Sequence, residues 1–178
     1  MKELSLHILD IVKNSVTAGA SHIDLKLEET AEQILTITIA DDGKGMSPEF
    51  LASVTDPFTT TRTTRKVGLG LPLYRMAAEQ TGGSFSIESV EGEGTTVTAV
   101  FHRDHLDCPP MGDLAGTVAL LIQGSPWIDF TLLHTTPKGG YEFTTEEIRD
   151  YLGSEVPLDA PEVFVWLSEY LEELEQEV

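Results

Sequence analysis

Four short stretches carry groups that could do chemistry: Asp10-x-x-x-Asn14, Asp41-Asp42-Gly43-Lys44-Gly45, Gly68-Leu69-Gly70-Leu71 and Gly92-x-Gly94-Thr95. A carboxylate and a carboxamide four residues apart project side by side from a shared helix, and a small hard cation takes oxygens of that kind. Glycines let backbone pass close to a ligand. A glycine-rich segment that opens a helix also turns its N–H groups and the positive helix end towards phosphate. Each stretch alone is ordinary turn chemistry. In this order and spacing, the four together describe a Mg-ATP site.

The elements that must position these residues follow from the hydropathy pattern. Residues 4–18 predict an amphipathic helix with Leu4, Ile8, Ile11, Val12 and Ser15 facing the core, and His7, Asp10, Asn14 and Thr17 on another face. Ala18-Gly19-Ala20-Ser21 ends it. Residues 23–27 and 34–40 alternate with period two and predict a hairpin, from which the Asp41–Gly45 stretch emerges. Ser47-Pro48-Glu49 offers a cap, an N1 proline and an acidic first turn for a short helix. Residues 56–67, rich in Thr, Arg and Lys without periodicity, are expected to form a mobile loop. A helix over about 71–80, stopped by Thr81-Gly82-Gly83, leads into strands 84–90 and 95–102 around the 91–94 turn. Helix, two strands, loop, helix, two strands is the plan of an α+β two-layer sandwich.

At 178 residues and 40% apolar composition, the chain has enough material for a sizeable core. Its formal charge of −19 is uneven. Residues 1–103 hold 9 basic and 14 acidic side chains, whereas 104–178 hold 2 and 16. A field of that sign repels nucleic acid and anionic membrane, so neither is an expected partner. The lone Cys108 has no internal disulfide partner, no apolar run reaches spanning length, and Met-Lys-Glu-Leu-Ser lacks signal-peptide form. The expectation is a soluble cytoplasmic protein.

Residues 1–103 resemble the ATP-binding domain shared by DNA gyrase, heat-shock chaperones, histidine kinases and MutL-type ATPases, the GHKL or Bergerat fold. Leu9–Ile23 is similar to the first box of the mismatch-repair members, and Asp56-Pro57-Phe58-Thr59-Thr60-Thr61 through Gly68-Leu69-Gly70-Leu71 is similar to the histidine kinases. The resemblance implies that Asn14 holds Mg²⁺ through its side-chain oxygen. Asp41 would accept a hydrogen bond from the adenine amino group, with Thr95 supporting the same edge. Gly43 and Gly45 would let backbone approach base and sugar, and Gly68 and Gly70 would meet the phosphates. Arg62, Arg65 and Lys66 would lie in a loop that closes over the nucleotide, while Met46, Phe58, Leu69 and Leu71 complete the nucleotide-binding set.

Asp10 departs from the pattern this resemblance carries. Gyrase and MutL types place a water-activating glutamate four residues before the Mg-binding asparagine, and aspartate is one methylene shorter. A base about 1 Å short of its water slows hydrolysis without weakening binding. Asp42 stands where asparagine is common, on a side chain expected to face away from the base. The first box begins near residue 4, too early for the histidine-bearing hairpin of a sensor kinase upstream, so His7 is expected to be a helix-face residue or one that supports the site from behind its ligands, and not a phosphoacceptor.

The remaining residues, 104–178, predict an acidic α/β extension and candidate partner-docking region. Pro109-Pro110 breaks the chain, then a helix over 111–123, strands 127–135 and 141–144, a helix 145–152 capped by Thr145, and a helix 161–176 follow. The last helix carries an apolar stripe of Val163, Trp166, Leu167, Tyr170, Leu171 and Leu174 opposite its glutamates. His102, His105, Asp107 and Cys108 have metal-ligating groups at a spacing that matches no usual site. This half resembles the tail of small stand-alone ATP-binding proteins of anaerobic bacteria encoded beside iron-hydrogenase subunits, which suggests a redox or hydrogenase subunit as partner. Three functions stay open: a slow Mg-ATPase that regulates a partner protein, a protein kinase of the anti-sigma type, and a nucleotide-sensing module without turnover.

Overall fold

The computed structural model describes residues 2–54 and 70–178. Within them the order is α1 (Leu4–Thr17), β1 (His22–Glu29), β2 (Ile34–Asp41), α2 (Pro48–Val54), α3 (Gly70–Gln80), β3 (Ser84–Val90) and β4 (Gly94–His102). Then come α4 (Leu114–Gly124), β5 (Asp129–Thr136), β6 (Gly139–Thr144), α5 (Thr145–Leu152) and α6 (Pro161–Gln176). The predicted loop 56–67 lies outside the described residues.

All six strands form one sheet in the order β3-β4-β2-β1-β5-β6. Neighbours are antiparallel except β1 and β5, which run parallel. Strands β5 and β6, from the acidic half, thus continue the sheet begun by the first half. Alternation decides what faces the helices. Leu132, Leu25, Ile39, Val97 and Ile87 stand side by side across five strands, and His134, Leu27, Ile37, Ala99 and Phe85 form the next row. Burying each aliphatic side chain of such a row contributes about 1.5–3 kcal/mol. On the opposite face of β1, His22, Asp24, Lys26 and Glu28 are exposed. The molecule is a two-layer α+β sandwich, as the pattern of helices and strands predicts.

Helix α1 lies at the centre of the helix layer, between α3 and α4, and α4 packs in turn against α6. Glu3 provides no side-chain cap for α1. Instead, the N–H groups of Leu4 and Ser5 donate to the carbonyls of Pro110 and Met111, each at 2.9 Å. That pairing commits the carbonyls of 110 and 111 to α1, and α4 begins at Leu114 and not at residue 111. Asp113 is its cap, accepting from the Gly116 N–H at 2.9 Å. Helix α5 differs from expectation in the same local way. Thr144 is the cap and accepts from the Glu147 N–H, while the buried Thr145 hydroxyl accepts from the Phe130 N–H at 2.9 Å. Strand β5 starts two residues later than predicted, because Asp129 makes the first bond, from its N–H to the Ser21 carbonyl, and Trp127 sits exposed in the preceding turn. Among the described residues no helix is long and apolar enough to cross a membrane.

His7 is buried, not presented on an open helix face. The pattern of α1 alone groups it with Asp10 and Asn14, but α3 covers it and Tyr74 packs against its ring at 5.5 Å between centroids. Burial lowers its pKa from 6.5 to about 4, helped by Lys2 and opposed by Asp10. The folded pKa is the depressed one. As pH falls from 6.5 towards 4 the unfolded chain takes up a proton that the folded chain refuses, so stability falls through that window and levels off below it. Urea unfolding of His7→Phe should remove on the order of 2–3 kcal/mol of the stability difference that wild type shows between pH 7 and pH 4.

Candidate functional site

Where the apolar rows of the sheet run out, the next row reads Phe130, Ile23, Asp41, Thr95 and Ser89. Strand parity turns these polar side chains towards the helix layer, under the last turns of α1. There a cavity of about 120 Å³ opens, walled by Ile11, Met46, Phe50, Leu71, Ile87 and Val97. Its polar lining includes Asn14, Ser15, Asp41 and Thr95, with Lys44 and Gly45 also contributing. An apolar slot with a few convergent polar groups is the usual form of a small-molecule site.

The polar groups are held in fixed orientations. The Ser15 hydroxyl donates to Asp41 Oδ2 at 2.6 Å and the Gly43 N–H donates to Oδ1 at 2.8 Å, which fixes the carboxylate plane while each oxygen keeps acceptor capacity. Ser89 joins three segments. Its hydroxyl accepts from the Met46 N–H at 2.8 Å, contacts Thr95 Oγ1 at 2.8 Å and donates to the Gly94 carbonyl at 3.1 Å. Because Ser89 has one proton, giving it to Gly94 makes Thr95 the donor to Ser89, and the Thr95 oxygen is left as an acceptor. The loop after β2 is tied on both sides. The Lys44 N–H donates to Ala18 O at 2.9 Å, and Lys44 O accepts from the Gly92 N–H at 2.6 Å.

Asn14 is the exception in this network. Its Nδ2 is buried and finds no hydrogen-bond partner among the described residues. An orphaned amide of that kind costs about 1–3 kcal/mol unless a ligand completes it. Among the described residues no neighbour fixes which end of the carboxamide faces the cavity, so its oxygen can turn to a hard cation without losing a bond to any of them. The donor chemistry therefore fits Mg²⁺.

Asp10 lies one turn before Asn14 and does not line the cavity. Its carboxylate is paired with the Lys2 ammonium, both side chains being about one-third exposed. Gly70 opens α3 directly opposite, where an added Cβ would stand 3.6 Å from that of Asp10. Asp42 faces away from the cavity and accepts from Ser21 Oγ and from the N–H groups of Ser21 and His22, which ties the end of β2 to the start of β1. These bonds, the Ser21 hydroxyl foremost, hold its carboxyl below the usual range.

Of the sequence-derived set, Asn14, Asp41, Gly45, Met46, Leu71 and Thr95 come together at the cavity, with Gly43 bonded behind Asp41. Phe58, Arg62, Arg65, Lys66, Gly68 and Leu69 lie outside the described residues. Sequence reasoning missed Ser89, Phe50 and Lys44, and took Ser15 for a core residue only. Among the described residues, no three His, Cys, Asp or Glu side chains cluster as a metal site, and His105 Nδ1 instead accepts from the Asp107 N–H.

Residues 2–105 match the family described as histidine kinase-, DNA gyrase B- and HSP90-like ATPase. The sensor histidine kinase ZraS of Salmonella typhimurium is 34% identical over 93 residues, which is 51% of this chain and 20% of that protein. The heme sensor protein HssS of Staphylococcus saprophyticus is 34% identical over 97 residues, 54% of this chain and 20% of its own length. This chain thus spans about a fifth of these relatives. Among solved structures, the N-terminal domain of a DNA repair protein superposes with a TM-score of 0.56 over 81% of this chain and 52% of that one, at 16% identity, a likeness of fold alone. ATP binding is what the matched family and the kinase relatives support. With more than half its length matched and the sandwich fold in place, the chain belongs to the histidine kinase-, DNA gyrase B- and HSP90-like ATPases.

Proposed function

We propose that the chain binds Mg-ATP in the cavity beneath α1, turns it over slowly and passes its nucleotide state to a protein partner through residues 104–178. The observation that carries this reading is the Asn14 side chain, whose buried Nδ2 has no partner among the described residues, beside the oriented Asp41 carboxylate. Asp41 and Thr95 present acceptors to the adenine edge, and Asn14 holds the cation, which when bound offsets charge on the phosphates. Asp10 is the candidate base. Its pairing with Lys2 sets an ammonium on one of its two oxygens and lowers the carboxylate's readiness to take a proton from water, which is consistent with slow turnover.

Calorimetry tests the binding half. Wild type should bind ATP more tightly with Mg²⁺ than without, and Asn14→Ala should lose about tenfold in Mg-ATP affinity while binding metal-free ATP as wild type does. Equal losses with and without the metal would remove Asn14 from the cation. Phosphate release tests the other half. Asp10→Ala should bring it to background, and Lys2→Met should raise it by up to about fivefold, the most a partly exposed ion pair can withhold. Release unchanged in Asp10→Ala would dismiss Asp10 as the base.

A second reading, phosphotransfer to a separate protein, is favoured by relatives that carry the name sensor histidine kinase. Label from γ-³²P ATP appearing on a candidate partner, a redox or hydrogenase subunit among the first to try, would select it. Binding of ATP with neither label transfer nor phosphate release would leave the sensing module.

A further inference from the structure

Three aromatic rings form a column on the surface of the acidic half. Tyr151 of α5 stacks on Trp166 of α6 with centroids 6.0 Å apart and planes 7° from parallel. Trp166 stacks in turn on Tyr170 at 5.3 Å and 3°. Behind Tyr170, Phe143 of β6 packs at 6.2 Å and anchors the column to the sheet. Core packing does not require all of it. Helix α6 buries Val163, Leu167 and Leu171, whereas Tyr170 is exposed and Tyr151, at the end of the column, is 78% exposed.

What surrounds the rings decides what they fit. At 100° per residue, Glu162, Glu169 and Glu173 lie on the α6 surface immediately beside Trp166 and Tyr170. On α5, Glu147 is four residues and Asp150 one residue before Tyr151. Residues 104–178 contain two cations, Lys138 and Arg149. Arg149 is held by Asp129 and by the carbonyls of Pro126 and Ile128, and Lys138 sits in the β5–β6 turn beside a cleft with Glu29 and Arg103. Among the described residues, neither of these cations is available to the carboxylates along the column.

The stacked rings cover one another's inner faces, which leaves open the outer face of Tyr151, 78% exposed at the end of the column. Such a face carries negative potential, and a guanidinium is planar, weakly hydrated and able to stack on it while its edge forks onto a carboxylate. Lysine can do the electrostatic part only. We infer that the Tyr151–Trp166–Tyr170 column, with the flanking glutamates of α6, is a docking surface for an arginine-bearing segment of a partner protein. This rests on the reading that residues 104–178 meet a protein partner and is independent of nucleotide turnover.

The test uses the full chain carrying Trp127→Phe, so that fluorescence reports Trp166, titrated without nucleotide. The probes are three peptides alike except that glycine alternates with arginine, lysine or citrulline. The arginine peptide should bind saturably, about tenfold more tightly than the lysine peptide, and the citrulline peptide should not bind. Tyr151→Ala removes an exposed ring without touching the buried Ile148 of α5, and should reduce the arginine peptide's affinity about fivefold. Glu169→Gln with Glu173→Gln should weaken both cationic peptides. Equal binding of the arginine and lysine peptides, or Tyr151→Ala without effect, would reduce the surface to a general acidic field and overturn the inference. Absence of saturable binding would overturn it too. Since no nucleotide is present, none of these outcomes bears on ATP binding, which the Asn14→Ala calorimetry decides separately.

Discussion

Asp41→Asn should lower ATP affinity by about 50-fold and leave the fold intact, because a hydrogen bond to a charged acceptor is worth about 1.5–3 kcal/mol and its replacement here presents a donor to a donor. The substitution is nearly isosteric. Asn keeps one oxygen, which can still accept from the Gly43 N–H that now meets Oδ1 at 2.8 Å. The amide nitrogen then faces the Ser15 hydroxyl, which can rotate and accept from the amide N–H where it now donates its proton. The network survives by this exchange, whereas an adenine amino group loses its acceptor. Calorimetry with ATP and with GTP is the measurement. A loss confined to ATP places Asp41 on the base, and equal affinity in wild type and Asp41→Asn would move the base elsewhere. Thermal unfolding should shift by no more than a few degrees, since the lost charge sits at the sheet's edge row and not among its apolar rows.

The elements around this site were legible because they follow from periodicity. Leu25, Leu27, Ile37 and Ile39 alternate strictly, and α1 buries Leu4, Ile8, Ile11 and Val12 at helical spacing, as the pattern requires. Relations between elements were not. Alternation identified β5 as a strand but could not reveal that it lies parallel to β1, because a parallel neighbour is chosen by the crossover through α4. His7 was misplaced for a related reason. Its own helix shows which residues share a face, and only α3, sixty residues on in sequence, decides that the face is covered.

The site shows the same division. Asn14, Asp41 and Thr95 were legible as residue types within short motifs, and strand register then puts Asp41 opposite Thr95. Ser89 gave no such signal. It is one of three serines in β3, and its function arises from meeting Met46 across 43 residues of sequence. Likewise, the aromatic column combines residues of α5 and α6 whose stacking depends on how the two helices sit beside β6. A stripe on α6 alone reads as core, and for Val163, Leu167 and Leu171 that reading is correct.

Gly45→Ala should be among the most damaging single-methyl additions in the site, costing about 3 kcal/mol and lowering Tm by about 10 °C. Two effects add. Gly45 has φ +69°, a conformation that costs an L residue about 1 kcal/mol. Its added Cβ would also stand 2.1 Å from the Val90 carbonyl oxygen, which belongs to backbone and cannot rotate aside. Relief requires the β3–β4 turn to retreat, stretching the 2.6 Å bond from the Gly92 N–H to Lys44 O and moving the Met46 N–H away from Ser89. Gly92→Ala separates the two effects. Gly92 has φ +85° but nothing within 4 Å of an added Cβ, so it should cost only about 1 kcal/mol. Urea unfolding of both variants gives the difference attributable to the close approach. ATP affinity should fall in Gly45→Ala and stay near wild type in Gly92→Ala, because only the first displaces the loop that carries Met46 against the cavity. Equal stability of the two variants would mean that the loop and turn can separate freely, and that the glycine is needed for its backbone angle alone.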